Sequence, residues 1–131
     1  MNKSENQAEL IGTIDGLEEG GKGLRFDVVS ADGETNPAFV VNFDYQYFAY
    51  LNKCGHIAVQ LDYMPGEFFG DDGQTLICAT HGAEYAPDTG ACLGGPCYGV
   101  GLEPLTVIER DGQLFLDHDG YSVVVKDHTQ N

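Results

Sequence analysis

Glycine constrains this chain more than any other residue type: 18 of its 131 residues are Gly, spread along the sequence rather than gathered in one tract. Glycine adopts backbone torsions that other residues avoid and weakens helix interiors, so this distribution favours short strands joined by tight turns. No stretch carries the apolar spacing of an amphipathic helix. From Phe39 the pattern alternates, with Phe39, Val41, Phe43, Tyr45 and Tyr47 set against Asn42, Asp44 and Gln46. That period of two predicts extended strand, bent or turned near Asp44, with the aromatics in the core. Asp111-Gly112 sits between two apolar runs and suits a two-residue hairpin with positive backbone torsions. Shorter strands are predicted at Leu10–Ile14, Leu24–Ser30, Leu76–Cys78 and Ser122–Val125, with turns at Ala31-Asp32-Gly33 and Asp71-Asp72-Gly73. Together they predict an all-β fold, an antiparallel sandwich or barrel.

The length suits one domain over 1–131, with frayed ends and enough chain to bury a core. A hydrophobic content of 42% with 11% aromatics is too rich for a disordered chain. No apolar run reaches the roughly 18 residues of a membrane helix, which argues against a membrane partner. The polar stretch Met1–Leu10 lacks the apolar core of a signal peptide, so the expected location is the cytoplasm, with reduced thiols. Asp and Glu number 21 against 6 Lys and Arg, a formal net charge of -15. Between Phe26 and Glu109 the only Lys or Arg is Lys53. Nucleic acid is therefore excluded as a partner, because phosphates are neutralised by clustered basic side chains. An acidic surface instead steers the protein toward a basic partner surface, or simply solvates it.

The segment from Cys54 to Cys97 differs from both flanks, holding all four cysteines, two of the four histidines and three of the five prolines. Within it stand Cys54-Gly55-His56 and, further on, Cys78-Ala79-Thr80-His81-Gly82. Each pairs a soft thiolate with an imidazole in a tight loop, and two such loops together offer two sulfur and two nitrogen ligands to a metal. That donor set fits a tetrahedral zinc ion, or an iron–sulfur cluster with one iron on the cysteines and the other on the histidines. A zinc staple sits less easily here, since C-x-H is unusual for zinc knuckles. Cysteine-nucleophile catalysis is weaker still, because a His two or three residues from its Cys provides neither pocket nor orienting group. His118 and His128 stand alone and receive no ligand role.

C-x-H followed by C-x-x-H-G, running on as H-G-A-E-Y-A-P-D-T-G-A-C-L-G-G-P-C, resembles the Rieske iron–sulfur family, in particular its small soluble ferredoxins. The resemblance is close over Tyr50 to Cys97 and loose elsewhere. It implies a Rieske-like β-sandwich or barrel with a cluster-binding subdomain over about residues 50–100 and one [2Fe-2S] cluster. Cys54 and Cys78 would hold the inner iron, and His56 and His81 the outer, electron-accepting iron. Gly55 and Gly82 would let the loops approach the cluster, Gly94-Gly95-Pro96 would form the third, covering loop, and Tyr85 stands where the family often has a tyrosine reaching a cysteine sulfur. Val59 and Thr80 occupy the positions where high-potential members carry a disulfide between the loops, and Ala83 replaces a serine that donates a hydrogen bond to sulfide. Without that donor, and with acidic charge around it, the potential is expected near the low end of the Rieske span, about -150 mV.

Three local expectations remain. Cys92 and Cys97 are open to a local disulfide, a role in a zinc site, or free thiols in the third loop, of which the resemblance and a reducing compartment favour the last. Of Phe68 and Phe69 in the Gly-rich acidic loop Gly66–Gln74, at least one is expected to pack beneath the loop instead of forming a docking surface. The resemblance further implies a non-enzymatic one-electron carrier between a flavin reductase and a terminal oxygenase or other acceptor. The alternatives are a Rieske subunit bound permanently in a multicomponent oxidoreductase and, further off, a structural Cys2His2 zinc domain. With only His118 and His128 outside the two boxes, no mononuclear iron site of an oxygenase catalytic subunit is expected.

Overall fold

The computed structural model describes residues 8–53, 60–62, 64, 66–70, 73–79, 82–95, 99–118 and 120–124. Among them the chain forms β1 (Glu9–Thr13), β2 (Leu24–Ser30), β3 (Thr35–Phe43), β4 (Gln46–Leu51), β5 (Leu76–Ile77) and β6 (Glu84–Tyr85). It continues with β7 (Cys92–Gly94), β8 (Pro104–Leu105), β9 (Val107–Arg110), β10 (Gln113–Leu116) and β11 (Tyr121–Val123). No helix occurs among the described residues, so none is long and apolar enough to cross a membrane. Three antiparallel sheets result: a central one of order β11-β2-β3-β4-β8, flanked by β1-β10-β9 and by β5-β6-β7.

The expected strand after Phe39 is two strands. It turns at Asp44 and Tyr45, both with positive φ (54° and 59°), so that β3 and β4 form a hairpin with Phe43 opposite Gln46. Such a turn matches the natural twist of a strand pair. Its consequence corrects the aromatic stripe: Tyr45 lies on the turn and is 84% exposed, whereas Phe39 and Val41 are fully buried. The Asp111-Gly112 hairpin forms as expected, with φ of 54° and 80°. β2 has the expected bounds, and Gly33 (φ 89°) closes the turn after it by donating to the Ser30 carbonyl at 2.9 Å. The remaining strands shift by a residue or two, and Asp71, Asp72 and Val125 lie outside the described residues.

Alternation along β3 and β4 sends successive side chains to opposite faces of the central sheet, and both faces are covered. Ala38, Val40, Ala49 and Leu51 join Val28, Leu105, Leu114 and Leu116 in a core toward the β1-β10-β9 side. Phe39, Val41 and Tyr50 face the other way, into a second core with Leu61, Phe68, Leu76, Cys78, Ala83, Tyr85 and Leu102. Phe68 is 1% exposed and stacks on Phe39 with ring centroids 4.0 Å apart. Phe69 packs partly buried against Phe43. The Gly66–Gln74 loop thus uses its phenylalanines as anchors, as expected. Leu61, Phe68, Leu76, Cys78, Ala83 and Tyr85 of this second core come from the segment between Cys54 and Cys97 that carries the Cys and His boxes.

Candidate metal centre

Cys78, Ala79 and Gly82 of the second box lie between the paired strands β5 and β6. β5 and β6 pair Leu76 with Tyr85 and Ile77 with Glu84. The ladder runs on as the Cys78 N–H donates to the Ala83 carbonyl and the Gly82 N–H donates to the Cys78 carbonyl, both at 2.8 Å. Gly82 closes this tight loop at φ 77°, where any other residue would be strained. Cys78 is fully buried at its base and takes part in no disulfide. A buried sulfur outside any disulfide, sharing its core with Leu61, Ala83 and Tyr85, suits a soft-metal ligand. His81 and Thr80 lie outside the described residues, as do Cys54, His56 and Val59 of the first box.

The stem of the first box is visible on both sides. Asn52 follows β4, and the chain is described again from Gln60. Asn52 is fully buried; its Oδ1 accepts the Leu61 N–H at 2.8 Å and its Nδ2 donates to Asp62 Oδ1 at 3.0 Å. Asp62 also accepts the Gly66 N–H at 2.9 Å and pairs with Arg25 Nε at 3.2 Å. Arg25 in turn donates to Gln60 Oε1 at 2.6 Å. A buried carboxylate needs such partners, because unpaired it would cost several kcal/mol, on the order of 3–5. The sequence pattern missed these residues: polar side chains beside a loop read as surface. Their only hint was position, flanking Cys54 and His56.

The third loop leaves β7 and passes over the second. Gly95 (φ 80°) lies so close that a Cβ there would come within 3.0 Å of the Ala83 Cα and the Gly82 carbonyl oxygen. Pro96 and Cys97 lie outside the described residues. Cys92, opposite Tyr85 on β7, is disulfide-bonded, its partner outside the described residues. This corrects the expectation of free thiols, which rested on the resemblance and on a reducing compartment. Tyr85 and Ala83 are both fully buried, and alanine at position 83 offers no hydroxyl. His118 makes a structural contact: its Nδ1 accepts the Thr106 N–H at 3.1 Å.

Tyr50 braces the site from the central sheet. Its hydroxyl donates to the Pro87 carbonyl at 2.8 Å, and Gly90 packs on its ring. Burial, assisted by the Asp88 charge, raises its pKa well above the ordinary 10.0. The unfolded chain ionises Tyr50 near pH 10 while the fold resists, so this stabilisation is complete below pH 10 and is lost as pH rises beyond it. Tyr50→Phe is expected to cost about 1 kcal/mol at neutral pH through the lost hydrogen bond. It should also make the alkaline fall in stability shallower, leaving the smaller contribution of Tyr121, whose pKa is also raised. Urea titrations at neutral pH and above pH 10 check both.

An open cleft of about 390 Å³ is lined by the carboxylates of Asp32, Glu34 and Glu103 together with Lys53, Val100 and Tyr121. Its carboxylates fall next to the residues preceding Cys54 and following the third loop.

The fold and the loops define a class: an all-β domain presenting a buried cysteine and its hairpin beneath a covering loop. The family model of the Rieske [2Fe-2S] domain matches residues 17–108, well over half of the chain, and the protein belongs to that family. Its cofactor is accordingly a [2Fe-2S] cluster. No curated protein matches the chain. Among solved structures, the Sphingomonas yanoikuyae B1 ferredoxin is 21% identical with a TM-score of 0.64, covering 86% of this chain and 99% of its own. The ferredoxin of carbazole 1,9a-dioxygenase from Nocardioides aromaticivorans IC177 is 20% identical with a TM-score of 0.63, covering 86% of this chain and 98% of its own. A chain in the complex of reduced oxygenase and oxidized ferredoxin in carbazole 1,9a-dioxygenase is 23% identical with a TM-score of 0.63, covering 82% and 98%. These similarities establish the shared fold.

Proposed function

We propose that this protein is a one-electron carrier, and that Cys54, His56, Cys78 and His81 hold its [2Fe-2S] cluster. The observation that carries the reading is Cys78, a buried reduced sulfur at the base of the β5–β6 hairpin in a chain of the Rieske family. When bound, the cluster supplies reversible one-electron redox chemistry. The chain's own part is to hold and tune it. The hairpin fixes the Cys78 sulfur, Gly95 presses the third loop onto Gly82 and Ala83, and the second core shields the inner side from water. Ala83 provides no hydroxyl to a neighbouring sulfide, and the net charge of -15 opposes the more negative reduced state. Protein-film voltammetry is expected to give a midpoint near the low end of the Rieske range, about -150 mV. A midpoint above zero would refute that tuning.

The electron donor is a flavin reductase and the acceptor a terminal oxygenase or similar enzyme, each presenting basic residues; the protein itself turns over no substrate. Similarity to ferredoxins of oxygenase systems supports the acceptor class. The carboxylates of Asp32, Glu34 and Glu103, placed next to the loops, support the basic docking surface. Such steering is screened within a Debye length of about 8 Å at physiological salt. Stopped-flow reduction by a flavin reductase should therefore slow steeply between low and high ionic strength. Neutralising the three carboxylates should flatten that dependence; a rate indifferent to salt would refute the docking scheme.

A further inference from the structure

We infer that Asn52 is a positioning residue that ties the two ligand loops to each other, with Leu61 as the joint. The inference rests on the proposal that these loops carry the cluster. Leu61 is fully buried and is bonded on both sides of its peptide frame. Its N–H donates to Asn52 Oδ1 at 2.8 Å, and its carbonyl accepts the Ala79 N–H at 2.9 Å. Ala79 immediately follows Cys78, while Asn52 and Leu61 bracket Cys54 and His56. One continuous line of hydrogen bonds therefore runs from the entry of the first loop, across its exit, to the first residue after Cys78.

The line is anchored at both ends. The Asn52 N–H donates to the Pro37 carbonyl of β3 at 2.8 Å, which fixes the side chain's origin to the central sheet. Its Nδ2 is held by Asp62, whose other oxygen is occupied by Gly66 and Arg25. Asparagine is suited to this place because one amide must accept from Leu61 and donate to Asp62 at once. Alanine does neither. Aspartate accepts but turns a second carboxylate toward Asp62. Buried polar groups that satisfy one another in this way fix a single arrangement, and removing a member leaves its partners unpaired. The expected result is that loss of Asn52 loosens the second loop as well as the first, although its hydrogen bonds among the described residues go to Leu61, Asp62 and Pro37.

Hydrogen–deuterium exchange read by mass spectrometry on the full-length protein tests this, together with the rate at which a strong iron chelator bleaches the visible absorbance. In Asn52→Ala the Leu61 and Ala79 amides are expected to exchange about tenfold faster or more, the factor set by one lost hydrogen bond, while Val28 and Val40 stay unchanged. Chelator release should accelerate by a similar factor. Acceleration at Leu61 alone, or release at the wild-type rate, would overturn the coupling. If the alanine variant does not fold, Asn52→Asp serves: both amides must still exchange faster, and wild-type rates at both overturn the inference. A wild-type chain that binds neither iron nor sulfide would refute the cluster reading separately, and the exchange rates would still decide the coupling.

Discussion

Cys78→Ser is expected to yield a folded, colourless protein with no stoichiometric iron or sulfide. The sulfur it removes is fully buried at the base of the β5–β6 hairpin, and it is a reduced thiol, the chemical form in which cysteine becomes a thiolate ligand. Serine keeps the volume closely, and the backbone bonds from Cys78 to Ala83 and from Gly82 to Cys78 do not depend on the side chain. The structural cost is therefore about 1 kcal/mol, on the scale of one buried hydrogen bond, while the loss at the metal centre is complete. Two controls sharpen the result. Cys92→Ser removes a sulfur already committed to a disulfide, and His118→Ala removes an imidazole occupied with Thr106. Both should retain full iron and sulfide. Metal and sulfide analysis of the three purified variants checks the set.

The largest effect on stability is expected from Phe68→Ala. Phe68 is 1% exposed, stacks face to face on Phe39, and lies against Gly23, where an added Cβ would come within 2.8 Å of its ring. Truncating a buried phenylalanine costs about 3–5 kcal/mol through lost burial and the cavity left behind. The stacked pair adds roughly 0.5–1.5 kcal/mol beyond its area. Against a domain stability of about 5–15 kcal/mol this removes a large share of the total. Phe68 shares its core with Leu61 and Cys78, so the cavity opens beneath the site itself. Urea denaturation should show a much lower midpoint with an unchanged slope. A change below about 1 kcal/mol would contradict the packing described here.

Much of this architecture is legible in local sequence because turn chemistry is local. Asp111-Gly112 declares itself through residues that tolerate positive φ, the change of direction near Asp44 was legible only as a bend or turn in an alternating run, and β2 follows from its flanking turns. What local pattern does not carry is partnership between distant segments. The pairing of β1 with β10, of β11 with β2, and of β4 with β8 depends on which faces meet in the folded chain. Alternation alone also misplaced Tyr45, since a turn interrupts the period and turns the ring to solvent. Of the proposed ligands, the Cys78 loop is seen in its setting, while Cys54, His56 and His81 lie outside the described residues. The polar braces of the site were least legible. Asn52 and Asp62 look like ordinary surface residues until the fold buries them and satisfies each bond. Cys92 was misjudged because its state was inferred from a compartment and a resemblance instead of from its neighbours.

The central claim, one [2Fe-2S] cluster held by two cysteines and two histidines, is tested most directly by electron paramagnetic resonance of the dithionite-reduced protein, with iron, zinc and acid-labile sulfide assayed on the same sample. The account predicts a reddish-brown protein with iron and sulfide in equal amounts and a rhombic signal with the low average g value of mixed histidine and cysteine ligation. A colourless, silent protein carrying stoichiometric zinc, even after anaerobic preparation, would contradict it and reduce the same four residues to a structural staple.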